Sequence, residues 1–221
     1  MGMLDALARY SKRRSRHGLY PWLADTVRCH RLAGAGRVLN VGAGGEVAAA
    51  LAQNGVRATS VDIDPARGPD LVASLEALEG VADSSVDALF CLEVLEHVAR
   101  PEAAAGAIGR VLRPGGLLVG STPFLLGIHD APHDYFRYTA HGLRQLFAGF
   151  DEVELRARNG YFAAAAVLLT RRFAVGSLPE RRRAALLSPV LIPLAAAVSS
   201  LDGLLPSAEG TTGYVFVFRR R

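Results

Sequence analysis

Residues 37–64 read R-V-L-N-V-G-A-G-G-E-V-A-A-A-L-A-Q-N-G-V-R-A-T-S-V-D-I-D, and this stretch decides the fold. A short apolar run at 38–41 leads into a glycine cluster, an alanine-rich helical pattern and a second apolar run that closes on acids. This order predicts one strand–helix–strand unit. Gly42, Gly44 and Gly45 have no Cβ atom, so the turn can be sharp and a ligand can lie directly against the main chain.

An acid follows the second predicted strand of this unit. Asp62 stands 20 residues after Gly42, and a carboxylate at that position can accept hydrogen bonds from both hydroxyls of a ribose. The pattern therefore predicts an adenosine-containing ligand. A dinucleotide would require G-x-G-x-x-G, and counting from Gly42 the last position is Val47, so a pyrophosphate is disfavoured.

Composition and charge limit the class of protein. The chain has 221 residues, half of them hydrophobic, and a formal net charge of +4 that comes mainly from scattered arginine clusters. No aromatic RNA-binding motif or N-P-P-Y sequence accompanies these arginines, so nucleic acid is not the expected partner. Cys29 and Cys91 are the only cysteines, and Cys91 lies in a predicted buried strand, so no structural disulfide is expected and the protein is predicted to be cytoplasmic.

The hydrophobic pattern divides the chain into three predicted parts. Residues 1–33 form a helical segment of one or two helices, which either packs on the sheet or covers the ligand site as a lid. Residues 34–160 form the nucleotide-binding core. Residues 161–221 begin with a helix, contain a helical insertion at about 174–210, and end with an alternating strand at 213–218.

The segment 85–101, S-V-D-A-L-F-C-L-E-V-L-E-H-V-A-R-P, adds a second motif. Its residues 86–92 are apolar almost throughout, as expected of a central strand covered on both faces. A helix follows to about residue 112, then the tight turn R-P-G-G at 113–116 and a fifth strand at 117–120. Glycine turn, ribose acid, E-V-L-E-H and L-R-P-G-G in this order resemble the class I S-adenosylmethionine (SAM) dependent methyltransferases, in their small-molecule, methyltransferase type 11-like branch.

The resemblance implies a fold and a cofactor site. The fold would be α/β: a Rossmann-like, seven-stranded, mostly parallel sheet with an antiparallel last strand, in a three-layer sandwich. The cofactor would be SAM, with the ribose on the acid, the adenine beside the loop after the third strand, and the sulfonium above the E-V-L-E-H turn. The residues implied are Asn40, Gly42, Gly44, Asp62, Ile63, Ser74, Leu75 and Glu93. Asn40 stands where the family usually has an acid, and Glu46 where it usually has the last glycine.

The loop 124–141 is dense in aromatic and ionisable residues and is the predicted acceptor side. The candidates for a general base are His133, then His129, then His97. The predicted substrate-binding residues are His129, His133, Asp134, Tyr135 and Arg137. No metal is expected, because methyl transfer from a sulfonium requires none. The alternative is that the aromatic residues pack the loop onto the sheet while the polar ones satisfy backbone groups.

The string P-H-D-Y-F-R-Y-T in this loop resembles a subgroup associated with cell-surface glycan and glycolipid biosynthesis. The predicted function is therefore methyl transfer to a hydroxyl of a small molecule, sugar or glycolipid precursor. Two alternatives remain: a SAM-binding or Rossmann scaffold that has lost chemistry, and an NAD-dependent enzyme, which the absence of a Tyr-x-x-x-Lys pair disfavours. The sequence leaves the oligomeric state open.

The insertion predicts a surface rather than a span. Three arginines at 181–183 precede an apolar segment at 184–198, which two prolines interrupt and which is shorter than the roughly 20 residues needed to cross a bilayer. Residues 181–205 are expected either to lie on the inner face of the membrane or to cover the sheet or a dimer contact.

Overall fold

A computed structural model describes residues 6–42, 45–174, 178–207 and 209–221, without the side chains of residues 174 and 178–184. The described strands are β1 Val38–Val41, β2 Thr59–Asp62, β3 Leu71–Val72, β4 Val86–Leu92, β5 Leu112–Pro123, β6 Phe150–Ala157 and β7 Gly213–Arg220. The described α-helices are α1 Ala6–Ser15, α2 Leu19–Cys29, α3 Gly45–Gln53, α4 Pro101–Val111, α5 Ala140–Leu146, α6 Tyr161–Ala174 and α7 Leu178–Ser200.

The strands form one sheet in the order β3-β2-β1-β4-β5-β7-β6. The pairs from β3 to β5 are parallel, with Val41 opposite both Val61 and Cys91 in the register. β7 is inserted between β5 and β6, and the last strands are antiparallel, with helices flanking the sheet. The predicted Rossmann-like sheet is confirmed. In such a sheet the carboxyl ends of the parallel strands meet at one edge, where ligands bind.

Contacts between Cα atoms divide the chain into two compact units. The second unit, Leu19–Thr122, Asp130–Arg156 and Val215–Arg221, contains most of the sheet. In its core α2 packs against the sheet through Leu19, Trp22, Leu23 and Val27, beside apolar residues of β1, β4, β5 and β7. For α2, the structure therefore agrees with the prediction that residues 1–33 pack on the sheet. Burying an aliphatic or aromatic side chain of this size contributes about 1.5–3 kcal/mol each, so α2 is firmly attached.

The first unit, Met1–Gly18, Pro123–His129 and Ala157–Tyr214, is helical for most of its described length. α1, α6 and α7 pack against one another. The carboxylate of Asp202 accepts hydrogen bonds from the backbone N–H groups of Gly160, Phe162 and Ala163 at 2.9–3.2 Å, which caps the start of α6.

The predicted helical insertion is present, and its two prolines lie within the helix. α7 runs for 23 residues with Pro189 and Pro193 inside it, although a proline in a helix interior removes a main-chain hydrogen bond and costs about 3 kcal/mol. Within the described residues, the segment Ala185–Gly203 is long and apolar enough to cross a membrane by length and composition alone, with a mean hydropathy of 1.7 and 22% of it buried. Core helices of soluble proteins pass the same test.

The fifth strand also begins earlier than predicted. β5 starts at Leu112 rather than at residue 117, because Val86 pairs with Leu112 and Ala88 pairs with Leu117. The R-P-G-G residues between them form a bulge inside the strand, and Gly115 has a φ of +80°. α5 begins after Thr139, whose Oγ1 accepts a hydrogen bond from Gly142 N at 3.0 Å.

Candidate active site

The loops that follow β1, β2 and β3 are neighbours at the carboxyl edge of the sheet. Gly42 N donates to Val61 O at 2.8 Å, directly before Asp62. Ala73 N donates to Asp62 O at 3.0 Å, directly before Ser74. These two main-chain hydrogen bonds continue the strand register into the loops, so three of the predicted cofactor positions lie side by side.

The loop after β4 joins the same edge. Gly42 has a φ of +88°, and a Cβ atom there would lie 2.9 Å from Val94 Cγ2. The glycine is therefore required both by its left-handed backbone and by the close approach of the E-V-L-E-H turn. Glu93 has a φ of +56°, its N–H donates to Ser121 O at 2.9 Å, and its Oε1 accepts from Ser121 Oγ at 2.9 Å.

Asn40 is a buried polar residue at this edge. Its side chain is 2% exposed, and its Nδ2 donates to Gly42 O at 3.4 Å. Its Oδ1 is buried and has no hydrogen-bond partner among the described residues. Buried amide oxygens are nearly always paired, so an orphaned one at the start of a ligand loop is the kind of acceptor that a bound ligand satisfies.

Asp62 is 7% exposed, and its Oδ1 accepts from Asp64 N at 3.0 Å. An arginine of the following turn, Arg67, has its Nη1 3.7 Å from Asp62 Oδ2. Ile63 is 70% exposed beside it. A fixed carboxylate next to an exposed apolar side chain is the arrangement that the ribose prediction requires.

The adenine side contains one polar and one apolar position. Ser74 is half-buried, and its Oγ accepts from Glu76 N at 3.2 Å. Leu75 is 5% exposed and belongs to the buried core. Gly44, which was also predicted to bind the cofactor, lies outside the described residues.

The predicted acceptor loop is fastened to the E-V-L-E-H turn by backbone contacts. Tyr135 N and Phe136 N both donate to Glu96 O, at 2.9 and 3.2 Å. His97 Nδ1 lies 2.5 Å from His133 O. A carbonyl oxygen only accepts, so Nδ1 carries the proton in this contact. We call residues 130–138 the acceptor segment.

The turn beneath the acceptor segment contains a fully buried carboxyl group. The Glu96 side chain is 0% exposed, and its Oε1 lies 3.7 Å from His97 Nε2. Burial and then the charge of Glu96 raise the pKa of the Tyr138 hydroxyl, which donates to Leu95 O at 3.3 Å. Burial and then Glu96 likewise raise the pKa of the Cys91 thiol, so this cysteine is an inert core residue.

Two of the predicted substrate-binding residues pair with each other. Arg137 Nη1 and Nη2 lie 2.6 and 2.7 Å from the two carboxylate oxygens of Asp134, whose side chain is 1% exposed. The hydrogen bonding of Arg137 to the Asp134 carboxylate is the largest cause that raises the pKa of Arg137, followed by the charges of Asp134, Glu96 and Glu93. The pair thus fixes the shape of the acceptor segment.

The candidate bases are placed differently from one another. His133 is exposed, and its Nδ1 lies 2.9 Å from the hydroxyl of Tyr135, which is 46% exposed. His97 is engaged with the His133 carbonyl. His129 belongs to the first unit, so its place relative to the other two stays a prediction.

Sequence reasoning missed two contacts at this site. Ser121, whose hydroxyl donates to Glu93, lies in β5 beside the end of β4 and could have been found from the strand order. The Tyr20 hydroxyl donates to Glu46 Oε2 at 2.8 Å, and both residues belong to the second unit. No sequence signal connects a residue of α2 with the start of α3.

A sheet of this order, with these loops at its carboxyl edge, defines a Rossmann-like methyltransferase fold. Residues 39–120 match the family model described as "Methyltransferase domain". This match and the structural neighbours confirm the resemblance to the class I, small-molecule SAM-dependent methyltransferases; the P-H-D-Y-F-R-Y-T subgroup is not shown.

Among the relatives is a ubiquinone biosynthesis O-methyltransferase of Xanthomonas oryzae pv. oryzae, 39% identical over 122 residues, which cover 48% of this chain and 51% of the relative. The match thus spans about half the length of that relative. The names of the relatives do not support the predicted role in glycan biosynthesis.

Two solved structures share the fold. A SAM dependent methyltransferase from Archaeoglobus fulgidus has a TM-score of 0.58 at 16% identity, covering 91% of this chain and 94% of the other. The 1,6-didemethyltoxoflavin-N1-methyltransferase of Burkholderia thailandensis, solved with its substrate and S-adenosylhomocysteine, has a TM-score of 0.54 at 17% identity, covering 99% and 86%. At this identity the likeness concerns the fold alone.

Proposed function

We propose that the protein is a SAM-dependent methyltransferase that methylates a hydroxyl group of a small molecule. The observation that carries the proposal is the adjacency of Gly42, Asp62 and Ser74 at one edge of the sheet, bounded by the turn to which the acceptor segment is fastened. The methyltransferase-domain match over 39–120 and the O-methyltransferase names of the relatives support it.

The residues present fit the cofactor. Asp62 would hold the ribose, Ser74 the adenine, and the orphaned Oδ1 of Asn40 the methionine end. The charges of Glu93 and Glu96 contribute to the raised pKa of Arg137. The same two carboxylates would give the turn a negative potential, which suits a sulfonium cation. When bound, SAM supplies an activated methyl group that a nucleophilic oxygen can displace from sulfur.

His133 is the general base of this proposal. In the tautomer with the proton on Nδ1, the ring donates to the Tyr135 hydroxyl and Nε2 is the acceptor. During the transfer, His133 Nε2 would accept the proton that the substrate hydroxyl loses. The remaining task of the chain is to align the two reacting centres and exclude water.

The finer proposal concerns the acceptor. The name of the Xanthomonas relative favours oxygen as the target atom and a ubiquinone precursor as the acceptor. Tyr135 and Phe136, both partly exposed, offer aromatic surface for a ring of that kind. A sugar or lipid-linked hydroxyl is the second candidate.

The test incubates the protein with SAM and, in separate reactions, with ubiquinone precursors or lipid-linked sugars. Mass spectrometry then searches for a product heavier by about 14 Da, the mass of the CH₂ added when a methyl group replaces a hydroxyl hydrogen. His133→Ala should slow turnover at least 100-fold, the usual contribution of a general base, and should leave S-adenosylhomocysteine binding unchanged. The matched control is His141→Ala, at an exposed position of α5. Absence of both methylated product and cofactor binding would reject the function.

We also propose that α7 contacts an anionic bilayer from the cytoplasmic side. Leu186, Leu187, Val190 and Leu194 are each at least half exposed along this helix, and the last turn of α6 carries Arg171 and Arg172. An exposed apolar row near cations is the pattern of an interfacial helix.

Flotation with vesicles of phosphatidylglycerol and phosphatidylcholine tests this contact. Changing Leu186, Val190 and Leu194 to glutamine should abolish flotation, whereas Ile128→Gln, at another exposed apolar position, should not. Wild-type protein that stays at the bottom of the gradient would contradict the proposal.

A further inference from the structure

The methionine end of the proposed cofactor site differs from the family pattern at two positions. Asn40 is neutral where an acid is usual, and Glu46 is charged where a glycine is usual. One carboxylate is thus missing from the end of β1 and one is added in the first turn of α3.

The added carboxylate is held in place. Glu46 Oε2 accepts a hydrogen bond of 2.8 Å from the Tyr20 hydroxyl. Tyr20 belongs to α2, which Leu19 and Leu23 on either side of it anchor in the core with no exposed surface. The Tyr20 hydroxyl holds the Glu46 carboxylate, whose two oxygens together offer about four acceptor positions.

The residue that replaces the usual carboxylate, Asn40, has a buried oxygen that is unpaired within the described part of the chain. Asn40 Oδ1 is buried without a hydrogen-bond partner among the described residues, although Nδ2 of the same amide donates to Gly42 O. A buried acceptor at the start of the glycine turn, together with a carboxylate just after it, matches a cationic hydrogen-bond donor.

We propose that Glu46, positioned by Tyr20, binds the α-ammonium group of the methionine end of SAM, with Asn40 Oδ1 as a second acceptor. The N-terminal amides of α3 then face the α-carboxylate on the same carbon atom. The acid has moved from position 40 to position 46, and the site keeps its charge balance. This inference rests on the proposed function and deepens it.

The experiment compares two ligands by isothermal titration calorimetry. S-Adenosylhomocysteine carries the amino-acid end, and 5′-methylthioadenosine lacks it. Glu46→Gln should weaken S-adenosylhomocysteine binding about tenfold or more, as expected for a lost charged hydrogen bond, and leave 5′-methylthioadenosine within about twofold. Tyr20→Phe should give a smaller loss of about threefold on S-adenosylhomocysteine alone.

The matched control is Glu102→Gln, an exposed acid in the first turn of α4, which should change neither ligand. Asn40→Asp in the Glu46→Gln protein should recover affinity for S-adenosylhomocysteine, because it returns the acid to the position usual in the family.

The outcomes separate the two proposals. Equal losses for both ligands in Glu46→Gln, or no loss, would overturn the assignment of Glu46 while the cofactor stands. Wild-type protein that binds neither ligand would overturn the assignment and the proposed function together.

Discussion

The cofactor edge and the acceptor segment are held in place by different means. At the cofactor edge, main-chain hydrogen bonds continue the strand register, from Gly42 N to Val61 O and from Ala73 N to Asp62 O. The acceptor segment contains no helix or strand, and its second half is held by contacts with a single turn, Leu95–His97. The first region is therefore a product of the fold, and the second is a product of a few side-chain and loop contacts.

This difference predicts two kinds of failure. Damage at the cofactor edge should affect cofactor binding whatever the acceptor. Damage to the contacts of the acceptor segment should leave cofactor binding intact and change the acceptor KM. The four predictions below test that division, from the largest expected effect to the smallest.

Gly42→Ala should have the largest effect. The new Cβ would lie 2.9 Å from Val94 Cγ2 at a φ of +88°, and we expect a combined cost of about 2–4 kcal/mol from backbone strain and overpacking. S-Adenosylhomocysteine affinity measured by calorimetry should fall at least 30-fold.

The control for this change is Gly115→Ala, which has a φ of +80° but open space around the new Cβ. It carries the backbone strain without the clash and lies away from the site. Similar affinities for the two variants would contradict the packing of the glycine turn against the E-V-L-E-H turn.

Asp134→Asn should damage the acceptor segment alone. The change leaves the Arg137 guanidinium, 22% exposed, without its bidentate partner, and we expect a loss of about 2 kcal/mol of unfolding free energy because the site is partly solvated. The acceptor KM should rise while the affinity for S-adenosylhomocysteine stays the same.

Glu152→Gln provides the comparison, because Glu152 makes a similar bidentate pair with Arg144 at the surface. Its cost should stay below about 1 kcal/mol. A loss of cofactor affinity in Asp134→Asn would show that the two regions are not separable.

The same division explains how much the sequence could predict. The glycine turn, Asp62 and the strand before Glu93 follow from local periodicity, and parallel pairing then brings their ends together without further information. The fold and the positions of the cofactor edge could therefore be predicted.

For the acceptor segment, the sequence predicted which residue types are present but not the contacts they make. Its residue types suggested ligand contacts, but nothing in the order P-H-D-Y-F-R-Y-T shows that Asp134 and Arg137 neutralise each other or that His97 faces a backbone carbonyl. The contact of His97 joins the segment to a turn more than 30 residues earlier in the chain.

Asp62→Asn sharpens the comparison from the cofactor side. An amide still accepts one ribose hydroxyl but lacks the charge, so the expected loss of S-adenosylhomocysteine affinity is about tenfold, near 1.5 kcal/mol. The acceptor KM measured at saturating SAM should not change. Asp64→Asn, at the exposed start of the next turn, is the control and should leave the affinity within about twofold. A larger effect of Asp64 than of Asp62 would place the ribose elsewhere.

Tyr138→Phe removes one of the contacts that join the acceptor segment to the turn, the hydrogen bond from the Tyr138 hydroxyl to Leu95 O, and should cost about 1 kcal/mol of unfolding free energy at neutral pH. Burial and Glu96 raise the pKa of this hydroxyl in the folded protein above its unfolded value of about 10. The unfolded chain therefore loses the proton first, and the contribution of Tyr138 is fully present below about pH 10 and declines as the pH rises towards the folded pKa. Urea unfolding from pH 8 to 11 should show the difference between wild type and variant shrinking above pH 10, whereas Tyr161→Phe, at an exposed ring, should show no such trend. A difference that stays constant to pH 11 would mean that Tyr138 is not held as a neutral donor beneath the acceptor segment.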